Sequence, residues 1–130
     1  MTTEKRILVV DDDPSILDVF NIMLGENYEV ILKENTRNII KTVAECAPDL
    51  IILDKALSGA DGCDLCAAIR KDLFYSSIPV IMISAKNNAK ELCLNAGATE
   101  FIEKPFKVQG MMERIAYYLS PESLVQDGLL

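Results

Sequence analysis

The chain contains no histidine among its 130 residues. This absence excludes every catalytic site built on a Ser–His or Cys–His pair, and it limits any metal site to oxygen and sulfur ligands. The chain also lacks an apolar run that approaches the length of about 18 residues needed for a membrane-spanning helix. We therefore expect no membrane contact.

Basic residues are few, with 13 Lys and Arg against 20 Asp and Glu and a net charge of −7. An acidic domain without a basic stripe binds nucleic acid poorly, because neutralised phosphates supply most of that affinity. We therefore predict no direct contact with nucleic acid. The apolar stretch after Arg6 is too short for a signal peptide, so the four cysteines are expected to be reduced thiols in the cytoplasm.

Two of the cysteines, Cys63 and Cys66, form a C-x-x-C motif. A redox role would require this motif at an exposed helix start in a thioredoxin-like context. The alternative is packing, because Cys66, Ile69 and Leu73 share one helical stripe with Leu65. Cysteine is among the most often buried residues, so we predict that these side chains belong to the core.

The stretch from Asp49 to Asp54 organises the rest of the chain. Four apolar residues, Leu50 to Leu53, run without polar alternation into the carboxylate of Asp54. This pattern predicts a strand buried on both faces, as in a parallel sheet covered by helices. Such a strand places its last residue at the carboxyl edge of the sheet, where open α/β sheets bind ligands.

Strands and helices alternate along the chain. Strands are predicted at residues 6–10, 28–32, 50–54, 79–84 and 99–103, and helices at about 14–24, 37–47, 62–72, 89–96 and 108–119. Asp13 with Pro14 is expected to cap the first helix, and Thr36 the second. This alternation predicts an α/β fold with right-handed crossovers. We expect residues 1–120 to form one domain and 121–130 a C-terminal tail or linker.

Polar groups follow four of the five predicted strands: Asp11 and Asp12, then Asp54, Ser84 and Lys104. The carboxyl ends of parallel strands meet at one edge, so these groups should lie together. Clustered carboxylates raise each other's pKa unless a cation joins them, and an all-oxygen ligand set suits Mg²⁺. A lysine and a hydroxyl beside one nucleophilic carboxylate then form a phosphoryl-binding arrangement, with Asp54 attacking in line.

Four segments carry a family resemblance: residues 7–14 (ILVVDDDP), 50–54 (LIILD), 79–85 (PVIMISA) and 101–106 (FIEKPF). Together they resemble the receiver domain of two-component response regulators over about residues 5–119. The resemblance implies a flavodoxin-like doubly wound (βα)5 fold with sheet order 2-1-3-4-5. It also implies that Asp54 is the phosphoacceptor and that a sensor histidine kinase or phosphotransfer protein is the donor.

The same resemblance assigns the metal site. Asp12 and Asp54 are implied to bind Mg²⁺ directly, Asp11 through water, and Ala56 through its backbone carbonyl. The implied chemistry is limited to accepting the phosphoryl group and losing it slowly, because Ala56 has no polar side chain to orient a water. Lys86 is expected to cover the site.

The resemblance also implies a conformational switch. Ser84 and Lys104 would contact the phosphoryl oxygens, and Phe101 would turn inward when Ser84 moves. The Lys104–Pro105 bond is expected to be cis. The downstream effector is unknown, and the expected state is a monomer or a weak dimer linked to phosphorylation.

The chain departs from the family in two places. Ser58 stands where the family has proline, which should loosen the loop after Asp54, and the segment between Ser84 and Gly97 is short, which should shorten the fourth helix. Two other functions stay open: a receiver scaffold that is never phosphorylated, and a phosphohydrolase of the haloacid-dehalogenase type. The second usually places Asp-x-Asp after its first strand and carries a cap domain, for which this chain has no spare residues.

Overall fold

The computed structural model describes residues 4–85 and 89–120. The strands are β1 (Arg6–Val10), β2 (Glu29–Lys33), β3 (Leu50–Asp54), β4 (Ala56–Leu57), β5 (Ala60–Asp61), β6 (Val80–Ser84) and β7 (Glu100–Glu103). The helices are α1 (Pro14–Leu24), α2 (Ile39–Cys46), α3 (Gly62–Lys71), α4 (Lys90–Asn95) and α5 (Val108–Leu119). The tail predicted at residues 121–130 lies outside the described residues.

Five strands form one parallel sheet in the order β2-β1-β3-β6-β7. The two short strands β4 and β5 pair only with each other, as an antiparallel hairpin. The order of the main sheet is therefore the predicted 2-1-3-4-5, with β6 and β7 as its fourth and fifth strands. All residues of β3 and β6 are buried, which confirms strands covered by helices on both faces.

The sheet divides the hydrophobic core into two clusters. Alternate residues of β3 face opposite sides: Ile51 and Leu53 pack in the cluster of α2, α3 and α4, whereas Leu50 and Ile52 pack in the cluster of α1 and α5. Full burial of such side chains contributes about 1.5–3 kcal/mol each. Because both faces are covered, the sheet holds its carboxyl edge in a defined position.

The first helix begins and ends as predicted. The Asp13 carboxylate accepts a hydrogen bond from the Ser15 backbone N–H at 2.9 Å, Pro14 occupies the first turn, and Gly25 follows the last residue. The predicted cap of α2 is wrong. That helix begins at Ile39, after Asn38 in the left-handed region at φ 56°, a conformation that asparagine tolerates better than most residues.

Apolar residues at helical spacing in α2 and α5 are not all buried. In α2, Ile39 and Val43 are buried but Ala44 is exposed; in α5, Met111, Ile115 and Leu119 are buried but Val108 is 49% exposed. Helical spacing identifies the face that turns toward the sheet. It does not fix how far along the helix the neighbouring elements extend.

The cysteines pack in the helix layer beside β3. Cys66 is buried, Cys63 is half-buried, and all four cysteines are free thiols. Burial, and next the Cys93 thiol whose sulfur lies 4.0 Å away, raise the pKa of the Cys63 thiol to about 12. Because thiolate is the reactive form, packing is favoured over redox chemistry. The expected stripe ends early, since Leu73 is 93% exposed.

The β4–β5 hairpin was not predicted. Ser58 and Gly59 form its two-residue turn, with Gly59 at φ 78°, a conformation that glycine adopts without strain. The pair Lys55–Asp61 bridges its base at 3.2 Å, and the Gly62 N–H donates to the Lys55 carbonyl at 2.7 Å. The hairpin therefore leaves β3 directly after Asp54 and returns to it.

Gly62 is predicted to tolerate no side chain. A Cβ there would collide with the carbonyl oxygen of Asp54 and lie 2.8 Å from the Cα of Lys55. We expect Gly62→Ala to lower the free energy of unfolding by about 2 kcal/mol or more, measured by urea denaturation. The control is Gly110→Ala in α5, where a Cβ meets nothing within 4 Å; it should raise stability by about 0.5–1 kcal/mol. Equal effects of the two substitutions would contradict the prediction.

Candidate functional site

The carboxyl edge of the sheet brings together the groups that the sequence places after its strands. Asp11 follows β1, Asp54 ends β3, and the register pairs Val10 with Leu53. Asp11, Asp12 and Asp54 each offer one carboxylate oxygen, and these three oxygens lie within 4.8 Å of one another. The expected acidic cluster is therefore present in the fold.

Lys104 crosses to this cluster from the end of β7. Its ammonium lies 3.0 Å from Oδ2 of Asp54 and 3.1 Å from Oδ2 of Asp11. Burial acts to lower the pKa of Lys104, but the hydrogen bonds and negative charges of both aspartates outweigh it, so the pKa is raised. One charged ammonium therefore joins two strand ends at neutral pH.

Asp11 and Asp12 are adjacent in sequence but differ in environment. Asp11 is fully buried, and burial, with the charge of Asp54, raises the pKa of its carboxyl although the Asp13 N–H donates to it at 2.9 Å. Asp12 is only half-buried, and hydrogen bonds from the Ser58 hydroxyl and N–H lower its pKa. Asp12 therefore ionises more readily than its neighbour.

Both oxygens of Asp54 have partners. Oδ1 accepts the backbone N–H of Ala56 at 3.1 Å, and Oδ2 accepts from Lys104. The Asp54 residue is 5% exposed and Ser84 2%. These contacts hold the Asp54 carboxylate in a fixed orientation at the carboxyl edge of the sheet, as a nucleophile in an in-line displacement requires.

The donor set fits Mg²⁺. It consists of carboxylate oxygens, with no nitrogen or sulfur donor among them, and such hard ligands suit Mg²⁺, which retains waters and uses one or two carboxylates. Asp11, Asp12 and Asp54 are the residues that would hold the ion. Coordination of the ion by the backbone carbonyl of Ala56 stays a prediction.

Ser84 and Phe101, which are predicted to take part in the conformational switch, lie on the neighbouring strands β6 and β7. Ser84 ends β6 beside β7, and its backbone carbonyl accepts the N–H of Lys104 at 2.8 Å. Phe101 is half-buried and packs against the cluster of α2, α3 and α4.

The Lys104–Pro105 peptide bond is cis, as expected. α4 has six residues and begins at Lys90, whereas Lys86, predicted to cover the site, lies outside the described residues.

One contact at the site was missed from the sequence. The N–H and hydroxyl of Ser58 both donate to Oδ2 of Asp12, at 2.9 and 2.7 Å. The sequence showed only that serine replaces a family proline, which suggested a looser loop. No local signal connects residues 46 positions apart.

Comparison with known proteins decides the family. A response regulator receiver domain profile matches residues 7–116, which is most of the chain. The protein belongs to the response regulator receiver domains. The sequence resemblance is confirmed by this match, and so is the place of the domain in two-component signalling.

The relatives include full-length regulators and isolated receivers. The DNA-binding response regulator MtrA of Mycolicibacterium smegmatis is 37% identical over 117 residues, covering 88% of this chain and 50% of the relative. This receiver chain thus spans about half the length of the curated relatives it matches. A putative response regulator from Chloroflexus aurantiacus aligns with a TM-score of 0.85 at 28% identity, over 91% of this chain and 99% of the other.

A second solved structure bears on the metal. The receiver domain of sensor histidine kinase PA1611 from Pseudomonas aeruginosa has a magnesium ion in its active-site cleft. It is 26% identical, with a TM-score of 0.81, covering 89% of this chain and 98% of its own. Among the described residues of the present receiver, no helix is long and apolar enough to cross a bilayer.

The raised pKa of Asp11 predicts a pH-dependent cost to stability. A folded-state carboxyl whose pKa lies above the ordinary 3.8 destabilises the fold once it ionises, and the cost is absent below 3.8. We expect Asp11→Asn to raise the midpoint of thermal unfolding at pH 7 in a chelating buffer, with the gain shrinking toward pH 3.8.

The matched control is Asp18→Asn, on the exposed side of α1, which should change the midpoint little. Added Mg²⁺ should stabilise the unsubstituted protein more than Asp11→Asn, because an ion that binds only the folded state shifts the equilibrium toward it. An Asp11→Asn variant less stable than the unsubstituted protein at pH 7 would contradict the prediction.

Proposed function

We propose that this receiver accepts a phosphoryl group on Asp54 from a phosphohistidine of a sensor kinase or phosphotransfer protein. The observation that carries the proposal is the position of Asp54. Its carboxylate ends a buried central strand, contacts Lys104, and lies beside two further carboxylates that suit a divalent ion. The family supports a cytoplasmic setting for this reaction.

The reaction exchanges one bond for another. A carboxylate oxygen of Asp54 forms a bond to phosphorus while the phosphorus–nitrogen bond of the donor histidine breaks, and the imidazole retains the electron pair and takes up a proton. A Mg²⁺ ion held by Asp11, Asp12 and Asp54 would supply positive charge that offsets the charge of the phosphoryl group. Lys104 is already hydrogen-bonded to Asp54 and supplies a second positive charge from the end of β7.

Slow loss of the phosphoryl group is part of the proposal. Hydrolysis needs a water held in line with the acyl phosphate, and Ala56, two residues after Asp54, offers only a methyl group. We propose that the chemistry of the site consists of accepting a phosphoryl group and losing it slowly.

The response is proposed to pass to α4, β7 and α5. A phosphoryl group on Asp54 adds strong acceptor oxygens beside Lys104 and near Ser84. Phe101 lies one strand from Ser84, partly inserted in the core, and could turn inward if β6 shifts. Arg114 of α5 binds the Glu100 carboxylate of β7: its single Nε–H is shared between both oxygens, and Nη2 donates to Oε1 at 2.6 Å, so β7 and α5 are linked.

A donor protein needs a surface beside Asp54 on which to dock. An apolar cleft of about 360 Å³ borders Lys104, between α1 and the segment that leads into α5. It is lined by Ile16, Val19, Pro105, Phe106 and Val108, together with Ala85 and Lys104. We place the histidine donor on this cleft, because an exposed apolar surface next to a reactive group favours protein docking.

Other partners follow from the family. The 37%-identical relative is described as DNA-binding, and it is about twice as long as the part matched here. We propose that this domain itself makes no direct contact with DNA and that it is a monomer or a weak dimer whose formation is linked to phosphorylation.

The labelling experiment separates this function from a scaffold that is never phosphorylated. We expect acetyl phosphate with Mg²⁺ to add one phosphoryl group, seen as a mass increase by intact-protein mass spectrometry, and Asp54→Ala to abolish it. The control Asp49→Ala removes an aspartate at the opposite end of β3 and should still be labelled. Labelling that persists in Asp54→Ala would place the phosphoacceptor elsewhere. Turnover of a small phosphate ester would instead favour the phosphohydrolase.

Docking on the apolar cleft predicts a donor-specific defect. Val19 is 40% exposed on α1, and Val19→Glu should slow transfer from a purified histidine kinase about tenfold or more while labelling by acetyl phosphate stays unchanged. The control is Leu73→Glu, which adds the same charge at a residue 93% exposed before β6, at the other edge of the sheet. Equal slowing by both variants, or slowed acetyl phosphate labelling, would refute docking at Val19.

A further inference from the structure

The tip of the β4–β5 hairpin closes onto the acidic cluster through Ser58. Its N–H lies 2.9 Å and its hydroxyl oxygen 2.7 Å from the same carboxylate oxygen, Oδ2 of Asp12. Asp12 lies after β1, and Ser58 lies in the turn between β4 and β5, so the contact joins the hairpin tip to the end of β1. It is separate from the ammonium of Lys104, which contacts Asp11 and Asp54.

These two hydrogen bonds use the acceptor capacity of one oxygen. A carboxylate oxygen has two in-plane lone pairs, and Oδ2 of Asp12 already accepts two hydrogen bonds, one from the N–H and one from the hydroxyl of Ser58. Oδ1 remains as the oxygen through which Asp12 can bind a cation. The carboxylate is therefore presented as a one-oxygen ligand.

Magnesium and calcium differ in coordination number and in how many oxygens they take from each carboxylate. Mg²⁺ takes six ligands in a near-ideal octahedron, one oxygen from each carboxylate, whereas Ca²⁺ takes six to eight and often binds both oxygens of a carboxylate. We propose that Ser58 is a positioning residue that restricts Asp12 to one oxygen and thereby favours Mg²⁺ over Ca²⁺. The proposal rests on the proposed function, since it assumes that the cluster binds a cation.

The hairpin holds Ser58 in place for this role. Leu57 is buried and pairs with Ala60, and Lys55 pairs with Asp61 at the base. Gly62 packs against the backbone of Asp54, which fixes the hairpin relative to the phosphoacceptor. The position of Ser58 is thus determined by backbone contacts on both sides of the turn.

The side chain at position 58 separates the two hydrogen bonds. Alanine would keep the N–H donor and remove the hydroxyl, threonine would keep both, and proline would remove both. Ser58→Ala therefore frees one lone pair of Oδ2, and Ser58→Pro frees two. The expected order of selectivity for Mg²⁺ is serine and threonine first, then alanine, then proline.

The test is the ratio of two binding constants. Mg²⁺ and Ca²⁺ are titrated separately into the full chain by isothermal calorimetry, and the Kd for Ca²⁺ is divided by the Kd for Mg²⁺. We expect Ser58→Ala to lower this ratio about tenfold, the usual size of an effect from a group that orients a metal ligand, and Ser58→Thr to retain it within about twofold. Ser77→Ala, an exposed serine before β6, is the matched control.

The ratio distinguishes ion selectivity from a general weakening of the fold. A variant that merely loosens the hairpin would weaken the binding of both ions by the same factor and leave the ratio unchanged. An unchanged or an increased ratio would overturn the role of Ser58. In each of those cases Mg²⁺ still binds the unsubstituted protein, so the proposed function stands. Failure of the unsubstituted protein to bind either ion would overturn both proposals.

Discussion

The ammonium of Lys104 is the interaction on which the site depends. Three carboxyl groups meet at one edge of the sheet, and Lys104 contacts two of them, Asp11 and Asp54, at 3.1 and 3.0 Å. Burial would make such a cluster costly without an opposite charge, because desolvation penalises each ionised group. The lysine thus lets β1, β3 and β7 end in polar groups while their apolar residues fill the core. It also leaves negative charge for a divalent ion to balance.

The fold was largely predictable because its signals are local. Continuous apolar runs such as residues 50–53 identify buried strands, and Asp13 with Pro14 and Gly25 marks both ends of α1. The gathering of Asp11, Asp54 and Lys104 followed from parallel pairing, which places equivalent strand ends on one edge. The family match confirms the resemblance drawn from these same segments.

What the sequence did not show depends on contacts between distant segments or on strained backbone. The start of α2 after Asn38, at φ 56°, follows from how the chain enters the helix and not from a capping side chain. The β4–β5 hairpin has only two residues in each strand, too few for an alternation pattern. The bonds from Ser58 to Asp12 depend on where that hairpin lies, so serine in place of proline suggested a looser loop when it in fact adds two donors.

The network of Glu100, Arg114 and Tyr118 has a consequence for how a partner would recognise this surface. Oε1 of Glu100 accepts from both Arg114 and the Tyr118 hydroxyl at 2.6 Å, and the Arg114 guanidinium also lies over the Tyr117 ring. An edge strand and the final helix are therefore fastened along one side by charge and ring contacts. Displacement of the strand by a fraction of an ångström would carry the tyrosine pair with it, so a protein bound to those rings would sense the strand's position without touching it.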